Sequence, residues 1–287
     1  MSDHKEAKSF SRFGYIMVAA GAAIGLGNIW KFPYLAYGDG GGAFVLVYIV
    51  ICILLGHPIV QAEQAVGRRG RASAVASYGV IHPKWRFVGV INIVCTFLID
   101  IYYLVVSGWV LKYFVTYVVS GDFGKDKQAY FDNYISSTTQ PLIHSLVIIA
   151  IIVFFLFFGI TNIVEKASKV IMPMLAVLLL VCGIYALIVV PGAVDGLKYY
   201  FVPDFSKFGM QQFADACMQV CFSVGIGWGI FTTLGASMDK DANLKADAWW
   251  VDICDTFIAL LAGFVIIPTV VGTGSEMSSD HRLCLSQ

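Results

Sequence analysis

The residues best suited to chemistry lie in a glycine-rich stretch, Gly21 to Pro33 (GAAIGLGNIWKFP). It sits inside an apolar run from Phe13 to Tyr37, long enough to cross a bilayer, which takes roughly 20 such residues. Glycine weakens a helix interior by about 1 kcal/mol relative to alanine, and proline cannot donate a backbone hydrogen bond, so the pattern predicts a broken span. Freed backbone groups at that depth must line a cavity or hold a ligand, and Asn28 and Lys31 also need partners. The stretch indicates a ligand site, with close helix packing on the glycines as the alternative.

A second interrupted span lies far downstream, from Phe222 to Gly229 (FSVGIGWG). Two glycine-interrupted segments in corresponding positions of two halves are typical of a transporter with its binding site near the membrane midplane.

Composition excludes several other classes of protein. The chain has 287 residues, 58% apolar, with a mean hydropathy of +0.77, which is not typical of a soluble domain. The 19 basic and 19 acidic residues give no excess charge for nucleic acid. The seven cysteines show no metal-ligand or disulfide spacing, and no catalytic triad or carboxylate pair indicates an enzyme. His57, His82 and His144 are isolated in the sequence, which favours structural roles.

Apolar runs predict seven membrane spans, at 13–37, 42–67, 87–119, 142–160, 167–190, 213–237 and 248–272. Basic residues concentrate before the first span and in alternate connections, such as Arg68, Arg69 and Arg71. The positive-inside rule then places the N-terminus in the cytoplasm. Seven spans would put the C-terminus outside, which is the reverse of a seven-helix receptor.

Several segments resemble the neurotransmitter:sodium symporter family of sodium-coupled amino-acid and neurotransmitter transporters. They are GAAIGLGNIWKFPYLAYGDGGGAF in the first span, GRRG after the second, IYYLVVSGW in the third, VEKASKVIMPML opening the fifth and PDFSKF before the sixth. The resemblance runs from about Phe13 to Gly272. It implies an all-α membrane protein with the leucine-transporter-like inverted-repeat fold, here the first five-helix repeat plus two helices of the second.

The resemblance also implies an organisation along the chain. Residues 1–12 would form a cytoplasmic N-terminus, 13–190 the first repeat of five spans, 191–212 an outer loop and 213–272 a partial second repeat of two spans. Residues 273–287 form a polar tail that does not match the family, as expected of a truncated or frame-altered member.

The function implied is sodium-coupled symport of an amino acid into the cell by alternating access, in the inner membrane of a bacterium. The expected partners are the amino acid, sodium ions and membrane lipid, with no nucleic acid, and a homo-oligomer is left open. The alternative is a non-transporting fragment or binding remnant of such a transporter.

Two sodium sites follow from the resemblance. The first would use the Ala23 carbonyl together with Asn28, Ser223 and Asp255. The second would be partial, with the carbonyls of Gly21 and Ile24 and its other ligands in an eighth span. Asp255 would supply the negative charge that chloride supplies elsewhere in the family, so chloride should not be required. The alternative for Asp255 is an acid paired with a buried donor, because an unpaired acid at mid-membrane costs about 2.5–3.5 kcal/mol.

The substrate site would be lined by the backbone amides near Leu26 and Gly27 and by residues of the third and sixth spans. The amides lie at the start of the outer half-helix, which suits a carboxylate. The other members are Ala23, Ile99, Tyr103, Phe222, Ser223, Gly225 and Trp228. Gly25 stands where monoamine carriers have an aspartate, which favours an amino acid over a biogenic amine. Trp228 favours a small neutral one.

Three further residues are expected to gate or support the site. Lys31 matches the cation of the outer gate with Gln219 as its neighbour, and Glu63 would hydrogen-bond the unwound backbone of the sixth span. Ser9 and Ser237 replace the aromatic residues of the family's inner gate, and Lys5 or Lys8 would replace its arginine. Asp100 could contact substrate, bind a proton or pair with a donor, and Asp252 has no assigned role.

Overall fold

The computed structural model describes residues 10–122, 127–157, 163–239 and 241–274. In these ranges the chain is built from thirteen α-helices joined by short turns. They are α1 Arg12–Ala23, α2 Phe32–Gly38, α3 Gly42–Ile51, α4 His57–Gly70, α5 Ala74–Ile81, α6 Arg86–Ser120, α7 Lys127–Ser136, α8 Thr139–Phe157, α9 Glu165–Val189, α10 Ala193–Phe201, α11 Met210–Val224, α12 Ile230–Ala236 and α13 Leu244–Thr273. Wide π-helical turns, Gly27–Lys31 and Cys52–Gly56, lead into α2 and α4.

Most of the predicted spans correspond to helices long and apolar enough to cross a membrane. Among the described residues there are five, at Gly42–Gly70, Pro83–Ser120, Thr139–Phe157, Glu165–Val189 and Leu244–Thr273. The first predicted span is a bent pair, Arg12–Ala23 and Gly27–Gly38, with an angle of 58° between its halves, and counts as a sixth. The predicted span at 213–237 is divided into α11 and α12, and this pair does not meet the same criterion.

The described residues form two compact units. The first comprises 10–93 and 164–274, and the second comprises 94–163 without its undescribed residues.

The core of the first unit consists of two clusters of buried apolar side chains. One contains Tyr15, Val60 and Phe231, with 3%, 0% and 0% exposure, and joins α1, α4 and α12. The other contains Phe32 and Tyr48, whose ring centroids are 4.8 Å apart. These clusters fix the two interrupted helices against their neighbours.

The close packing of α4 on α12 depends on two glycines. A Cβ atom at Gly67 would collide with the backbone of Thr232, and one at Gly235 would lie 2.5 Å from the Gln64 carbonyl oxygen. The helix that follows the second break is therefore seated directly on the backbone of α4.

The second unit is held together by aromatic side chains on α6 and α7. Trp109 packs edge-on against Phe131 with ring centroids 5.3 Å apart, and Phe131 also contacts Tyr113. Gly108 allows α6 to approach Ser145 on α8.

Candidate functional site

The first break begins where α1 ends at Ala23. Ile24 adopts an extended conformation (φ −68°, ψ 114°), which turns the chain out of the helix. The Gly25 N–H donates to Asn28 Oδ1 at 3.0 Å instead of to the Gly21 carbonyl, its partner in a continued helix. The Asn28 N–H donates to the Gly25 carbonyl at 3.1 Å instead of to that of Ile24. The carbonyls of Gly21 and Ile24, both expected sodium ligands, have thus lost their helical donors.

The second break follows α11, which ends at Val224. Gly225, Gly227 and Gly229 have φ values of 74°, 81° and 71°, a left-handed conformation that favours glycine over residues with a Cβ. The glycine pattern of the sequence therefore marks the break, because residues with a Cβ atom rarely adopt this backbone conformation.

Side chains from two other elements hold the backbone of this second break. Glu63 Oε1 accepts a hydrogen bond from the Gly227 N–H at 2.8 Å, so the contact expected for Glu63 is present. Asn92, with its amide nitrogen oriented toward the carbonyls, donates to Gly227 at 3.0 Å and to Val88 at 3.1 Å. Sequence reasoning missed Asn92. The sequence feature that could have identified it is an amide within an apolar span, where a polar side chain needs a partner.

Asn28, Ser223 and Asp255 form a buried polar cluster. Asn28 Nδ2 lies 2.8 Å from Asp255 Oδ1, 3.1 Å from the Asp255 carbonyl oxygen and 2.9 Å from Ser223 Oγ. The Ser223 hydroxyl donates to Asp255 Oδ2 at 3.0 Å. The three residues are 0%, 2% and 0% exposed. The first broken span, α11 and α13 thus meet at one point.

The chemistry of the cluster suits a hard cation, which prefers oxygen ligands. Three oxygens of Ser223 and Asp255 accept from the Asn28 amide, and a fourth, Asp255 Oδ2, accepts from Ser223. A buried carboxylate is costly unless it is paired, and the donors to Asp255 in the described part of the chain are both neutral. Rotation of the Asn28 amide by about half a turn would add its oxygen to the same group. A monovalent cation would balance the charge of the Asp255 carboxylate.

Residues expected to bind or to gate the substrate surround the two breaks. Gln219 Nε2 donates to the Gly27 carbonyl at 2.9 Å, which joins α11 to the first break. Phe222 packs edge-on against Trp228 with ring centroids 5.7 Å apart, and Lys31 Nζ lies 4.4 Å from the centroid of the Phe222 ring. The amides of Leu26 and Gly27 make no backbone hydrogen bond in the described ranges outside the regular helical pattern. The geometry therefore brings amide donors and an aromatic wall together.

Two expected substrate residues belong to the second unit. Ile99 and Tyr103 lie four positions apart on α6, so they share one face of that helix. Asp100 lies on the same helix and is exposed. Their part in binding substrate stays a prediction.

Asp252 has a partner that the sequence did not indicate. Its Oδ2 lies 2.7 Å from His57 Nδ1. His57 is isolated in the sequence, but the fold pairs it with a residue 195 positions away.

The inner gate was expected at Ser9, Ser237 and Lys5 or Lys8. Residues 5, 8 and 9 lie outside the described ranges, and Ser237 caps the C-terminal end of α12. The structure shows a different contact at this end of α1, an ion pair between Arg12 Nε and Asp247 Oδ1 at 2.8 Å. Asp247 is 1% exposed, so the pair ties the start of α1 to α13.

Comparison with known proteins identifies the class of protein to which this chain belongs. The sequence model of the Sodium:neurotransmitter symporter family matches residues 7–122 and 128–281, so the chain belongs to this family. The family consists of secondary transporters and not of enzymes, and the apolar helices make the chain a multi-pass membrane protein.

Individual relatives agree with this class. The chain is 33% identical over 288 residues to the Uncharacterized sodium-dependent transporter YhdH of Bacillus subtilis, over 99% of this chain and 64% of the relative. It is 24% identical to the Sodium-dependent neutral amino acid transporter B(0)AT2 of Mus musculus, over 96% of this chain and 42% of the relative. The crystal structure of MhsT in complex with L-phenylalanine matches with a TM-score of 0.89 at 33% identity, over 98% of this chain and 65% of MhsT. The expected leucine-transporter-like fold is thus confirmed, and the chain spans less than two thirds of the length of each of these three proteins.

Proposed function

We propose that the protein is a sodium-coupled symporter that moves a small neutral amino acid into the cell by alternating access. It would lie in the inner membrane with its N-terminus in the cytoplasm. The observation that carries the proposal is the buried cluster of Asn28, Ser223 and Asp255, which joins both broken spans to α13.

Sodium is the proposed ion at this cluster. Asp255 would provide the charge, Ser223 a hydroxyl oxygen and Asn28 its amide oxygen after rotation. Ala23 ends α1 beside the break, where its carbonyl is expected to join them. Sodium would replace the Asn28 amide hydrogens as the positive partner of the Asp255 carboxylate.

Chloride is not needed in this scheme. The Asp255 carboxylate and one sodium ion cancel in charge, so an anion would add an uncompensated negative charge to a buried site. Ala259, one turn further along α13, is buried and contributes no charge.

The proposed substrate carries its own carboxylate. The amides of Leu26 and Gly27 would bind it, and the absence of a side chain at Gly25 leaves no acid for an amine-only ligand. Two comparisons support this substrate class: MhsT was crystallised with L-phenylalanine, and the mouse relative is described as a neutral amino acid transporter.

The pocket favours a small side chain. A Cβ atom at Gly225 would lie 3.5 Å from the Trp228 ring, so the protein's own indole covers the space that this glycine opens. Phe222 closes the neighbouring side, since a Cβ atom at Gly27 would lie 3.0 Å from its ring. Glycine or alanine is the substrate that needs least displacement of these rings.

Coupling between ion and substrate follows from adjacency along the chain. Gly27 and Asn28 are consecutive, as are Phe222 and Ser223, and in each pair one residue belongs to the proposed substrate site and the next to the sodium site. A ligand that orders either segment therefore orders the other. Sodium and substrate would each strengthen the binding of the other through this effect.

The test measures binding and uptake separately. Binding of radiolabelled alanine to the purified chain should require sodium and should fail when choline replaces it. Uptake into vesicles should then require an inward sodium gradient. The variant Asp195→Asn, at an exposed residue on α10, is the matched control and should behave as wild type.

The outcomes separate the two candidate functions. Alanine binding of equal strength in sodium and choline would reject the symporter proposal. Sodium-dependent binding without uptake would instead support the binding-only alternative.

A further inference from the structure

A second buried polar pair lies within the apolar spans, apart from the proposed sodium cluster. His57 is the first residue of α4 and Asp252 lies on α13. His57 Nδ1 and Asp252 Oδ2 are 2.7 Å apart, and the two residues are 7% and 6% exposed. Trp249 stacks on the imidazole with ring centroids 4.0 Å apart and planes inclined by 21°.

Burying two ionisable side chains costs more free energy than an apolar contact between the same two helices. Both residues lie in helices that are apolar enough to cross a membrane, where ionisable side chains are rare and mark ion or proton pathways. Asp252 Oδ1 is buried and has no hydrogen-bond partner in the described structure. Two apolar residues would pack the same contact without this cost, so the pair calls for a functional explanation.

The chemistry of the pair provides two charge states. With neutral imidazole, the Nδ1–H donates to the carboxylate and the pair carries one negative charge. Addition of one proton at Nε2 gives an imidazolium beside a carboxylate, with no net charge. Histidine is the side chain whose ordinary titration lies between about pH 5 and 8, and the two states of the pair differ by a single proton.

The pair lies close to the proposed sodium ligand along the helix. Asp252 and Asp255 are three positions apart on α13, so they share one face at a distance of about one turn. Their direct partners differ, since Asp255 bonds Asn28 and Ser223 while Asp252 bonds His57. The His57–Asp252 pair and the proposed sodium site therefore share no direct hydrogen bond, but they are close enough to influence each other by charge.

In the part of the chain that the structure describes, few other titratable groups act on the pair. Asp255 on α13 acts on Asp252, Lys245 on α13 acts on His57, and Asp252 acts on Cys52 in the π-helical turn before α4. The α12 segment, which packs on α4, contains no titratable residue. The α5 helix, which also packs on α4, contains one, Tyr78. Asp247 on α13 is already paired with Arg12.

We propose that His57 and Asp252 form a proton-binding site in the membrane whose occupancy opposes that of the sodium site at Asp255. This inference rests on the proposed function. Sodium at Asp255 adds a positive charge one turn from the pair and makes the imidazolium less favourable. One proton then leaves Nε2 for bulk water, while the Nδ1–H remains bonded to Asp252. By thermodynamic reciprocity, protons weaken sodium binding by the same factor.

The first experiment measures proton release. Sodium chloride is added to the purified chain in weakly buffered solution near about pH 6.5, with a pH-sensitive dye and with choline chloride as reference. Wild type should release protons on sodium binding, and His57→Gln should release markedly fewer. His82→Gln, at an exposed residue that caps the turn before α6, is the matched control and should match wild type.

The second experiment measures sodium affinity with radioactive sodium at about pH 6 and about pH 8. Wild type should bind sodium at least about 5-fold more weakly at the lower pH, in line with a typical coupling between sites. His57→Gln should lose most of this difference while retaining sodium binding at the higher pH, which also shows that the variant is folded. Asp252→Asn, which keeps the shape of the side chain, should lose it as well.

Failure of this inference can be distinguished from failure of the proposed function. Sodium binding with equal proton release and equal pH dependence in wild type and His57→Gln would overturn this inference and leave the proposed function standing. No sodium binding to wild type at either pH would overturn both.

Discussion

Asn28 Nδ2 lies 2.8 Å from Asp255 Oδ1, which joins the first broken span to α13 across 227 positions of sequence. The same nitrogen lies 2.9 Å from Ser223 Oγ, next to the second break. A single amide thus links the first broken span, α11 and α13. Any ligand that changes the orientation of this amide changes the contacts of all three.

The first prediction concerns Asp255. Asp255→Ala removes the charge and two of the oxygens proposed to bind sodium, and hydrogen bonds to charged groups are worth about 1.5–3 kcal/mol. We expect sodium affinity to fall by at least about tenfold, measured by direct binding of radioactive sodium to the purified chain. Asp195→Ala, at an exposed residue, should leave it unchanged, and unchanged affinity in Asp255→Ala would reject the assignment.

The second prediction concerns chloride. Because Asp255 itself balances the sodium charge, substrate binding in sodium gluconate should equal that in sodium chloride. The measurement is alanine binding at constant sodium concentration with the anion exchanged. A strict requirement for chloride would contradict the role given to Asp255.

The third prediction concerns Glu63 and the backbone of the second break. Glu63→Ala leaves the Gly227 N–H without its acceptor, and an unsatisfied buried donor costs about 1–3 kcal/mol. The apparent unfolding temperature in detergent should fall, and hydrogen exchange at Gly227 should accelerate. Glu63→Gln keeps an acceptor oxygen and should have a smaller effect.

A control for this prediction lies on the same helix. Gln61→Ala, two positions before Glu63, should change exchange at Gly227 little. Equal acceleration in Gln61→Ala and Glu63→Ala would show that the effect comes from α4 as a whole and not from the hydrogen bond.

The sequence predicted the breaks well because their causes are local. Glycine and proline weaken a helix wherever they occur, and a polar side chain such as Asn28 is conspicuous in an apolar run. Ser223 and Asp255 were assigned through resemblance to a family, and the structure shows that they meet Asn28.

Partners that are distant in sequence were not predicted. The pairs His57–Asp252 and Arg12–Asp247 join residues 195 and 235 positions apart. No local pattern encodes such a contact, because the partner is selected by the packing of α13 against α4 and α1. The contact between Trp228 and Gly225 is short in sequence, but it depends on the left-handed backbone of the break.

The last prediction concerns substrate size and rests on Trp228. Its indole packs edge-on against Phe222 and covers Gly225, so it fills space next to the proposed carboxylate-binding amides. Discrimination by volume is modest, since one methylene is worth about 1–3 kcal/mol. Wild type should therefore bind alanine or glycine more tightly than leucine, by about 10-fold.

Removal of the indole should reverse this preference. In Trp228→Ala the space over Gly225 opens, and leucine and phenylalanine should gain affinity relative to alanine, measured by competition against radiolabelled alanine in sodium. Trp250→Ala, at an exposed tryptophan on α13, is the matched control and should keep the wild-type order. If leucine or phenylalanine outcompetes alanine in wild type, the pocket is larger than the Phe222–Trp228 contact implies. If leucine gains nothing in Trp228→Ala, the indole does not border the substrate and some other side chain sets its size.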